Sequence, residues 1–172
     1  MAIIQHIPLL ARQLDRDFFT QRLSALCVGW LGDDISTVRT AATQTLKELT
    51  ALFGTDWACD HLLPPIQDIR HHYSYLRRLT AVQACSKMAA EMDPDVVTVE
   101  ILPILLEMAA DPVPNIRFNV ARELVDITPI CGKTVYETQV SPMLSMMMED
   151  QDRDVRFYAE KTMRSLEEKF SK

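Results

Sequence analysis

Residues 111–121 read DPVPNIRFNVA, and this stretch decides how the rest of the chain is interpreted. Asp111 is a residue type that starts turns well, and Pro112 pre-sets the backbone angle that a turn requires. Pro114 suits the first turn of a helix, where a missing N–H costs nothing. The stretch therefore predicts a turn followed by a helix that begins near residue 114.

The arginine of this stretch recurs every 39 residues along the chain. The recurring residues are Arg39, Arg78, Arg117 and Arg156, and prolines follow the same spacing at Pro64, Pro103 and Pro142. The position six residues before each arginine is Asp33, His72, Asp111 or Asp150. A fixed period over most of a chain is typical of proteins built from stacked repeats.

Apolar residues follow the same period and divide each repeat into two helices. In the third repeat Ile101, Leu105 and Met108 form one helical stripe, and Val120 and Leu124 form a second one after the arginine. We call the two helices of a repeat A and B. The predicted A helices cover 18–31, 58–70, 98–110 and 135–148, and the B helices cover 35–52, 75–91, 114–127 and 152–169, after a lone helix at 2–14. The periodic prolines lie inside the A helices, where they should kink the helix or mark its first turn.

The predicted fold class is therefore an all-α superhelix of four helix pairs with one leading helix. We expect a single domain over 1–172, with a half repeat at 1–16 and full repeats at 17–54, 55–93, 94–132 and 133–172. The leading segment corresponds to a B helix without its A helix, which would leave Ile3, Ile4, Ile7, Leu10 and Leu14 partly uncovered. Since repeat proteins normally end in polar capping units, we expect the chain to be the C-terminal piece of a longer solenoid.

Composition argues against several classes of function. The net charge of −6 and the pI of about 5.2 oppose nucleic acid as a partner, because phosphate binding relies on clustered Lys and Arg. No apolar run reaches about 18 residues, so no membrane span or membrane partner is predicted. The four cysteines are far apart and two fall on core positions, which indicates free thiols in a reducing compartment. We expect a cytoplasmic protein, with the nucleus as a second compartment left open.

None of the motifs that could indicate a catalytic or metal-binding site is complete. Residues 150–154 resemble the start of a calcium loop, but Val155 stands where the loop needs glycine and Lys161 where it needs glutamate. His61, His71 and His72 have no cysteine or carboxylate at zinc-ligand spacing beside them. Methionines at 143–148 are interpreted as core filling rather than as a partner-binding surface. With no nucleophile motif either, the sequence predicts no enzyme, no metal and no cofactor.

The turns between A and B helices are the predicted docking surface. In a stack of helix pairs these turns emerge on one edge, and their residues have no role in the core. Tyr and Arg are over-represented among residues that dominate binding energy. The candidate partner-binding residues are Ser36, Tyr75, Arg77, Val113, Pro114, Asp152 and Arg153.

The periodic acidic and basic residues receive a structural interpretation. Their spacing puts the arginines in a row close to the aspartates of the turns. We favour a hydrogen-bonded Asp–Arg ladder between neighbouring repeats over direct contact with a partner. The ladder residues are Asp33, Arg39, Arg78, Asp111, Arg117, Asp150 and Arg156.

The repeat resembles a HEAT repeat, which has a proline in helix A, an aspartate in the turn, and Val/Ile-Arg at the start of helix B. Longer strings resemble the scaffold (A) subunit of protein phosphatase type 2A: Leu102-Pro103 with residues 111–121, Phe18-Phe19, Leu26-Cys27 with Trp30-Leu31, Phe53-Gly54 with Trp57, Tyr75-Leu76, and residues 150–152. The similarity runs from residue 3 to 170, at the C-terminal end of that subunit.

The resemblance implies a horseshoe of HEAT repeats whose C-terminal repeats hold the phosphatase catalytic subunit through their turns. The implied contacts fall on Ser36, Tyr75 and Val113, with Asp152 and Arg153 beside them; Ser36 departs from the aromatic residue expected there. The variable regulatory (B-type) subunit would bind N-terminal repeats that this chain lacks.

Two other functions remain as alternatives. One is a different HEAT-repeat adaptor, such as a transport receptor that grips a protein on its concave B-helix face. The other is an enzyme or nucleic-acid binder built on a similar stack. Substitution of Tyr75 and Val113 distinguishes the first alternative from docking on the turns. If the partner binds the B-helix face, these substitutions should leave its affinity unchanged.

Overall fold

The computed structural model describes residues 2–171, and the regular elements within this range are all helical. The chain divides into two compact units, Met1–Asp93 and Pro94–Lys172. Their boundary coincides with the predicted boundary between the second and third repeats. The assignment of 1–172 to a single domain stays a prediction, and each unit is described in turn.

The first unit contains one leading helix and two helix pairs. Its helices are α1 (Ala2–Gln13), α2 (Arg16–Gly29) with a 3₁₀ turn at Trp30–Gly32, α3 (Ser36–Phe53), α4 (Thr55–His61), α5 (Leu63–Ile69) and α6 (Tyr75–Ala89). Helix α3 packs against α1 on one side and α6 on the other. The A helices are α2 and the α4–α5 segment, and the B helices are α3 and α6.

The second unit contains two further helix pairs. Its elements are α7 (Pro94–Val96), a π-helical turn at Val97–Ile101, α8 (Leu102–Met108), α9 (Pro114–Cys131), α10 (Lys133–Val135), a π-helical turn at Tyr136–Val140, α11 (Ser141–Met147) and α12 (Arg153–Phe170). The B helices α9 and α12 pack side by side. The predicted alternation of A and B helices is confirmed, although α9 continues to Cys131 instead of ending at residue 127.

The periodic apolar positions form the cores of both units. Position 42 of the first full repeat and its equivalents in the other three are fully buried, as are Leu46, Cys85 and Leu124 on the next turn of the B helices. On the A helices Ile66, Leu105 and Leu144 are fully buried as well. Burial at equivalent positions explains why one 39-residue pattern can specify four successive helix pairs.

The periodic prolines disturb the A helices as expected. Pro64 follows a break at Leu62, where the backbone (φ −106°, ψ −41°) separates α4 from α5. Pro103 and Pro142 each stand in the first turn of a helix directly after a π-helical turn. Because proline has no N–H to donate to the preceding turn, the helix widens or breaks just before it.

Helix α1 is better covered than its sequence suggested. Ile4 and Ile7 are buried, and Thr45 of α3 donates a hydrogen bond from its hydroxyl to the Ile4 carbonyl at 3.3 Å. Ile3 and Leu10 are exposed, as expected for the side of α1 that faces away from α3. The prediction of partial exposure was therefore wrong for Ile4 and Ile7, because α1 packs against both α3 and α2.

An aromatic cluster forms the centre of the first unit. The Trp57 ring lies 4.6 Å from the Phe53 ring and 6.4 Å from the Phe19 ring, centroid to centroid. Trp57 and Phe19 are almost completely buried. The Trp57 indole N–H donates to the Thr20 hydroxyl at 2.8 Å, so the ring has no unsatisfied polar atom.

Two glycines end B helices in a conformation that other residues rarely adopt. Gly54 and Gly132 both have φ +90°, and each donates its N–H to the carbonyl of a threonine four residues earlier. We expect Gly54→Ala and Gly132→Ala each to lower the free energy of unfolding by about 1–3 kcal/mol, because alanine is strained at this φ. The measurement is urea denaturation followed by circular dichroism.

Gly29 provides the matched control for this prediction. It lies in a helical conformation (φ −54°) with nothing within 4 Å of an added Cβ. Gly29→Ala should leave stability unchanged or raise it by about 0.5–1 kcal/mol. Equal effects at positions 29, 54 and 132 would show that backbone conformation is not the cause.

No cysteine of the described chain forms a disulfide, and two of the four are inaccessible. Cys27 and Cys85 are completely buried, and burial raises the pKa of each thiol to about 12. Since the thiolate is the reactive form, we expect iodoacetamide at pH 8 to modify neither thiol in the folded chain. Cys59 and Cys131 are only half-buried. Mass mapping should therefore find them modified first, and early labelling of Cys27 or Cys85 would contradict the packing described.

Between residues 2 and 171, no helix combines the length and the apolar character needed to cross a membrane.

Candidate functional site

The four A-to-B turns share one local structure, built around the residue six positions before the periodic arginine. In three of them an aspartate accepts the N–H two residues further on, at 2.8 Å in each case. These pairs are Asp33 with Ile35, Asp111 with Val113, and Asp150 with Asp152. Such a local side-chain bond stabilises a turn without help from the neighbouring repeats.

His72 takes the aspartate's place in the second turn. Its Nδ1 accepts the Ser74 N–H at 3.0 Å, so an imidazole nitrogen replaces the carboxylate oxygen. Its Nε2 lies 3.3 Å from Nη1 of Arg77. The ring is therefore held at both nitrogens, and it contacts the ring of Tyr73 in a tilted arrangement with centroids 4.2 Å apart.

Each periodic arginine binds the backbone of its own turn. Nη1 of Arg39 donates to the carbonyls of residues 33 and 34, and Nη1 of Arg78 donates to those of residues 72 and 73. Arg117 donates to the Asp111 carbonyl, and Arg156 to the carbonyls of residues 150 and 151. This clamp was not predicted, and its signal in the sequence is the constant spacing of six residues between the turn aspartate and the arginine.

Arg117 also reaches into the next repeat. Its Nε and Nη2 donate to the two carboxylate oxygens of Asp150, both at 2.7 Å, in a bidentate ion pair. The side chains are only 15% and 14% exposed. The hydrogen bonds from Arg117 lower the pKa of the Asp150 carboxyl below its usual range, and the same contact raises the pKa of Arg117. Arg117 thus joins the third and fourth turns.

The first pair of turns is joined in a different way. Asp150, the ion-pair partner of Arg117, lies 33 residues after it. The residue at the same spacing from Arg39 is His72, which has no carboxylate. Instead, the Arg77 side chain packs over Gly32, so closely that a Cβ added to this glycine would lie 3.0 Å from the guanidinium carbon. The same guanidinium contacts His72. The predicted Asp–Arg ladder therefore does not join the two turns of the first unit, where Arg77 makes the contact instead.

The candidate partner-binding residues differ in how available they are. Ser36, Tyr75 and Arg153 are exposed, with Tyr75 at 41%. Arg77, Val113, Pro114 and Asp152 are half-buried. The Asp152 carboxylate accepts the N–H groups of Asp154 and Val155 at the start of α12, so it is already engaged as the helix cap.

Sequence reasoning missed the most exposed apolar side chain of these turns, which is Tyr73. Tyr73 is 91% exposed, and Leu76 and Ile35 are exposed as well. Position 73 corresponds to Asp34, Pro112 and Gln151 in the other repeats, so the row does not show a common residue type. An aromatic residue in one turn of such a row was the available signal.

A second surface lies on the B helices of the second unit. The guanidinium of Arg122 lies 5.4 Å from the centre of the Tyr158 ring, which stacks on Phe118 at 5.4 Å. A shallow depression of about 260 Å³ beside them is also lined by Asp126 and Lys161. This surface is mixed in charge, and it is distinct from the turns.

The histidines considered for a metal have other contacts. His61 packs on Trp57 with ring centroids 5.5 Å apart, and Nε2 of His71 accepts from Arg70. Across the described residues no three His, Cys, Asp or Glu side chains come together as a metal site.

The helix pairs, the prolines of their A helices and the arginine-clamped turns define the class of HEAT-repeat proteins. The HEAT repeat family matches residues 101–131, which span α8, the third turn and α9. Computationally designed armadillo repeat proteins for modular peptide recognition share the fold, with a TM-score of 0.52 and 18% identity over 81% of this chain and 62% of theirs. The chain is therefore an all-α repeat protein that contains a HEAT repeat.

Its sequence relates it to the regulatory A subunit of protein phosphatase PP2A. The Saccharomyces cerevisiae subunit is 36% identical over 130 residues, which is 71% of this chain and 20% of the relative. The Schizosaccharomyces pombe subunit is 38% identical over 73 residues (42% of this chain, 12% of the relative), and the Drosophila melanogaster 65 kDa regulatory subunit is 46% identical over 52 residues (30% and 9%).

These relatives support two predictions and set their scope. The resemblance to the PP2A A subunit is confirmed, and so is the prediction that the chain is not an enzyme, since the relatives are regulatory subunits. The chain spans about a fifth of the length of the yeast relative.

Proposed function

We propose that this chain is a non-catalytic scaffold that docks the catalytic subunit of a type 2A serine/threonine phosphatase on its A-to-B turns. The observation that carries the proposal is that the turns combine exposed side chains with a backbone held by hydrogen bonds. Exposed side chains such as Tyr75 project from a backbone that a local side-chain bond and an arginine hold in place. The relationship to PP2A regulatory A subunits supplies the class of partner.

Rigid turns favour binding because less conformational entropy is lost when the partner arrives. A flexible loop would have to be ordered on association, which reduces affinity. In this chain the turn carbonyls are already bonded to the periodic arginines, at 2.8 Å and 3.1 Å for the turn before Tyr75. The exposed tyrosine can therefore contact a partner without prior ordering of its backbone.

Each unit contributes turns of its own to this function. The first unit offers Ser36 and Tyr75, and the second offers Val113, Pro114 and Arg153. Tyr75 is expected to contribute most, because tyrosine is enriched among dominant interface residues and serine is not.

Single substitutions separate docking on the turns from binding on the B-helix face. We expect Tyr75→Ala to weaken association with a PP2A catalytic subunit about 10- to 100-fold, as for a dominant interface residue. Arg122→Ala, on the surface formed by α9 and α12, should leave association unchanged. Biolayer interferometry with the immobilised chain measures both. The reverse result, loss with Arg122→Ala and no change with Tyr75→Ala, would favour an adaptor that grips a protein on its B helices.

A further inference from the structure

The second turn presents an aromatic side chain with almost no contact to its own repeat core. Tyr73 is 91% exposed, more than any other large apolar side chain of the described residues. It lies two residues before Tyr75 and close in sequence to Leu76, both of which are exposed. A tyrosine exposed to this extent does not contribute the hydrophobic stabilisation that a buried ring would provide.

The backbone of Tyr73 is fixed despite this exposure. Nη1 of Arg78 donates to the Tyr73 carbonyl at 3.1 Å and to the His72 carbonyl at 2.8 Å. The peptide units on either side of residue 73 therefore cannot rotate without breaking a charge-assisted hydrogen bond.

The ring of Tyr73 is held by its neighbour. It lies 4.2 Å from the His72 imidazole, centroid to centroid, with 33° between the planes. The imidazole itself is bonded through Nδ1 to the Ser74 N–H, and Nε2 contacts Arg77. Since Arg77 also packs over Gly32, the ring rests on a chain of contacts that ends in the backbone of the first turn.

His72 is the feature that distinguishes this turn from the other three. Asp33, Asp111 and Asp150 make the same bond to the N–H two residues on, so a histidine is not needed for the turn itself. A carboxylate has no ring face, whereas an imidazole offers one to an adjacent aromatic side chain. What the histidine adds at position 72 is the support for Tyr73.

We propose that Tyr73 is an anchor of the docking surface and that His72 is the residue that positions it. The anchor would enter an apolar pocket of the catalytic subunit that has a hydrogen-bond acceptor for the phenol O–H at its rim. This inference rests on the proposed function, because it names a contact residue for the same partner. Pre-positioning raises affinity because the ring does not have to be immobilised on binding.

Four variants test the anchor and its support. Tyr73→Ala removes the ring, and His72→Asp restores the residue of the other turns, keeping the turn bond but removing the imidazole that contacts Tyr73. The double variant combines the two changes. Gln151→Ala, at the equivalent position of the fourth turn, controls for the loss of an exposed side chain.

The dissociation constant for a PP2A catalytic subunit is measured for each by isothermal titration calorimetry. We expect Tyr73→Ala to weaken binding about 10- to 50-fold and His72→Asp about 3- to 10-fold. In the Tyr73→Ala background, His72→Asp should have no further effect, and Gln151→Ala should bind like the unmodified chain. A merely structural role of His72 would instead lower the melting temperature and weaken binding in both backgrounds.

The outcomes separate this inference from the proposed function. If Tyr73→Ala binds like the unmodified chain while Tyr75→Ala binds weakly, the anchor is refuted and the scaffold function stands. If His72→Asp acts equally with and without Tyr73, the positioning role is refuted. If the unmodified chain does not bind, both proposals are refuted.

Discussion

Trp57→Ala is expected to lower the free energy of unfolding by about 3–5 kcal/mol, the range for deleting a large buried aromatic side chain. Trp57 is almost completely buried between Phe19 and Phe53, and its indole N–H is bonded to Thr20. Its removal would leave a cavity among rings that helices α2, α3 and α4 hold apart. The Thr20 hydroxyl would also lose the hydrogen bond from the indole N–H, while keeping its own bond to the Arg16 carbonyl. Urea denaturation followed by circular dichroism measures the effect without relying on tryptophan fluorescence.

Trp57→Phe is the matched control for the cavity. It keeps most of the ring contact with Phe53 but removes the indole N–H, so the expected loss is smaller, about 1–2 kcal/mol. A loss below about 1 kcal/mol for Trp57→Ala would mean that the aromatic cluster does not hold α4 against α2 and α3.

The ion pair between the third and fourth turns carries the second large effect. We expect Asp150→Ala to lower the free energy of unfolding by about 2–4 kcal/mol. It would leave the half-buried Arg117 without the carboxylate that it binds, and removing one partner of a pair shielded from water is destabilising. The lower end of the range reflects the 14–15% exposure of the two side chains. The variant also loses the turn bond to the Asp152 N–H.

Asp150→Asn separates these two losses. An asparagine oxygen can still accept the Asp152 N–H, so the turn is kept while the charge is lost. Asp150→Asn should therefore be destabilised less than Asp150→Ala, by about 1–2 kcal/mol. If Asp150→Ala matched the unmodified chain in stability, the ion pair would be shown to contribute nothing to the second unit.

The same pair predicts a dependence on pH. Hydrogen bonds from Arg117 hold the pKa of Asp150 below the usual 3.8 of an aspartate. The stabilisation is therefore present above that usual value and is lost as the pH falls through the lower value in the folded chain. The stability difference between the unmodified chain and Asp150→Asn should shrink between about pH 5 and pH 2. A difference that stays constant over this range would argue against a charged pair.

Periodicity in the sequence was sufficient to predict the helix pairs, but not how the turns are held. A 39-residue pattern reports which positions face the core, and Ile66, Leu105 and Leu144 are buried as it requires. Hydrogen bonds to backbone carbonyls do not affect the pattern of apolar residues along the sequence. The clamp by Arg39 and its equivalents was therefore not predicted. The π-helical turns were likewise not foreseen, because a proline inside a helix is compatible with either a kink or a widened turn.

For the candidate docking residues, too, the sequence predicted exposure but not the side-chain contacts. Exposure of Tyr75 follows from its place in a turn and was predicted. The engagement of Asp152 as a helix cap and of Arg77 over Gly32 depends on side-chain geometry, which spacing alone does not determine. Tyr73 was overlooked because its row has no common residue type, whereas its support by His72 is visible only once the two rings are placed together.

The most direct test of scaffold docking is the affinity of the chain for a PP2A catalytic subunit, measured by calorimetry with and without the double substitution Tyr75→Ala, Val113→Ala. Docking on the turns predicts a saturable one-to-one complex that the double substitution weakens by about 100-fold or more, with the circular dichroism spectrum unchanged. An unchanged affinity of the doubly substituted chain would contradict docking on the turns.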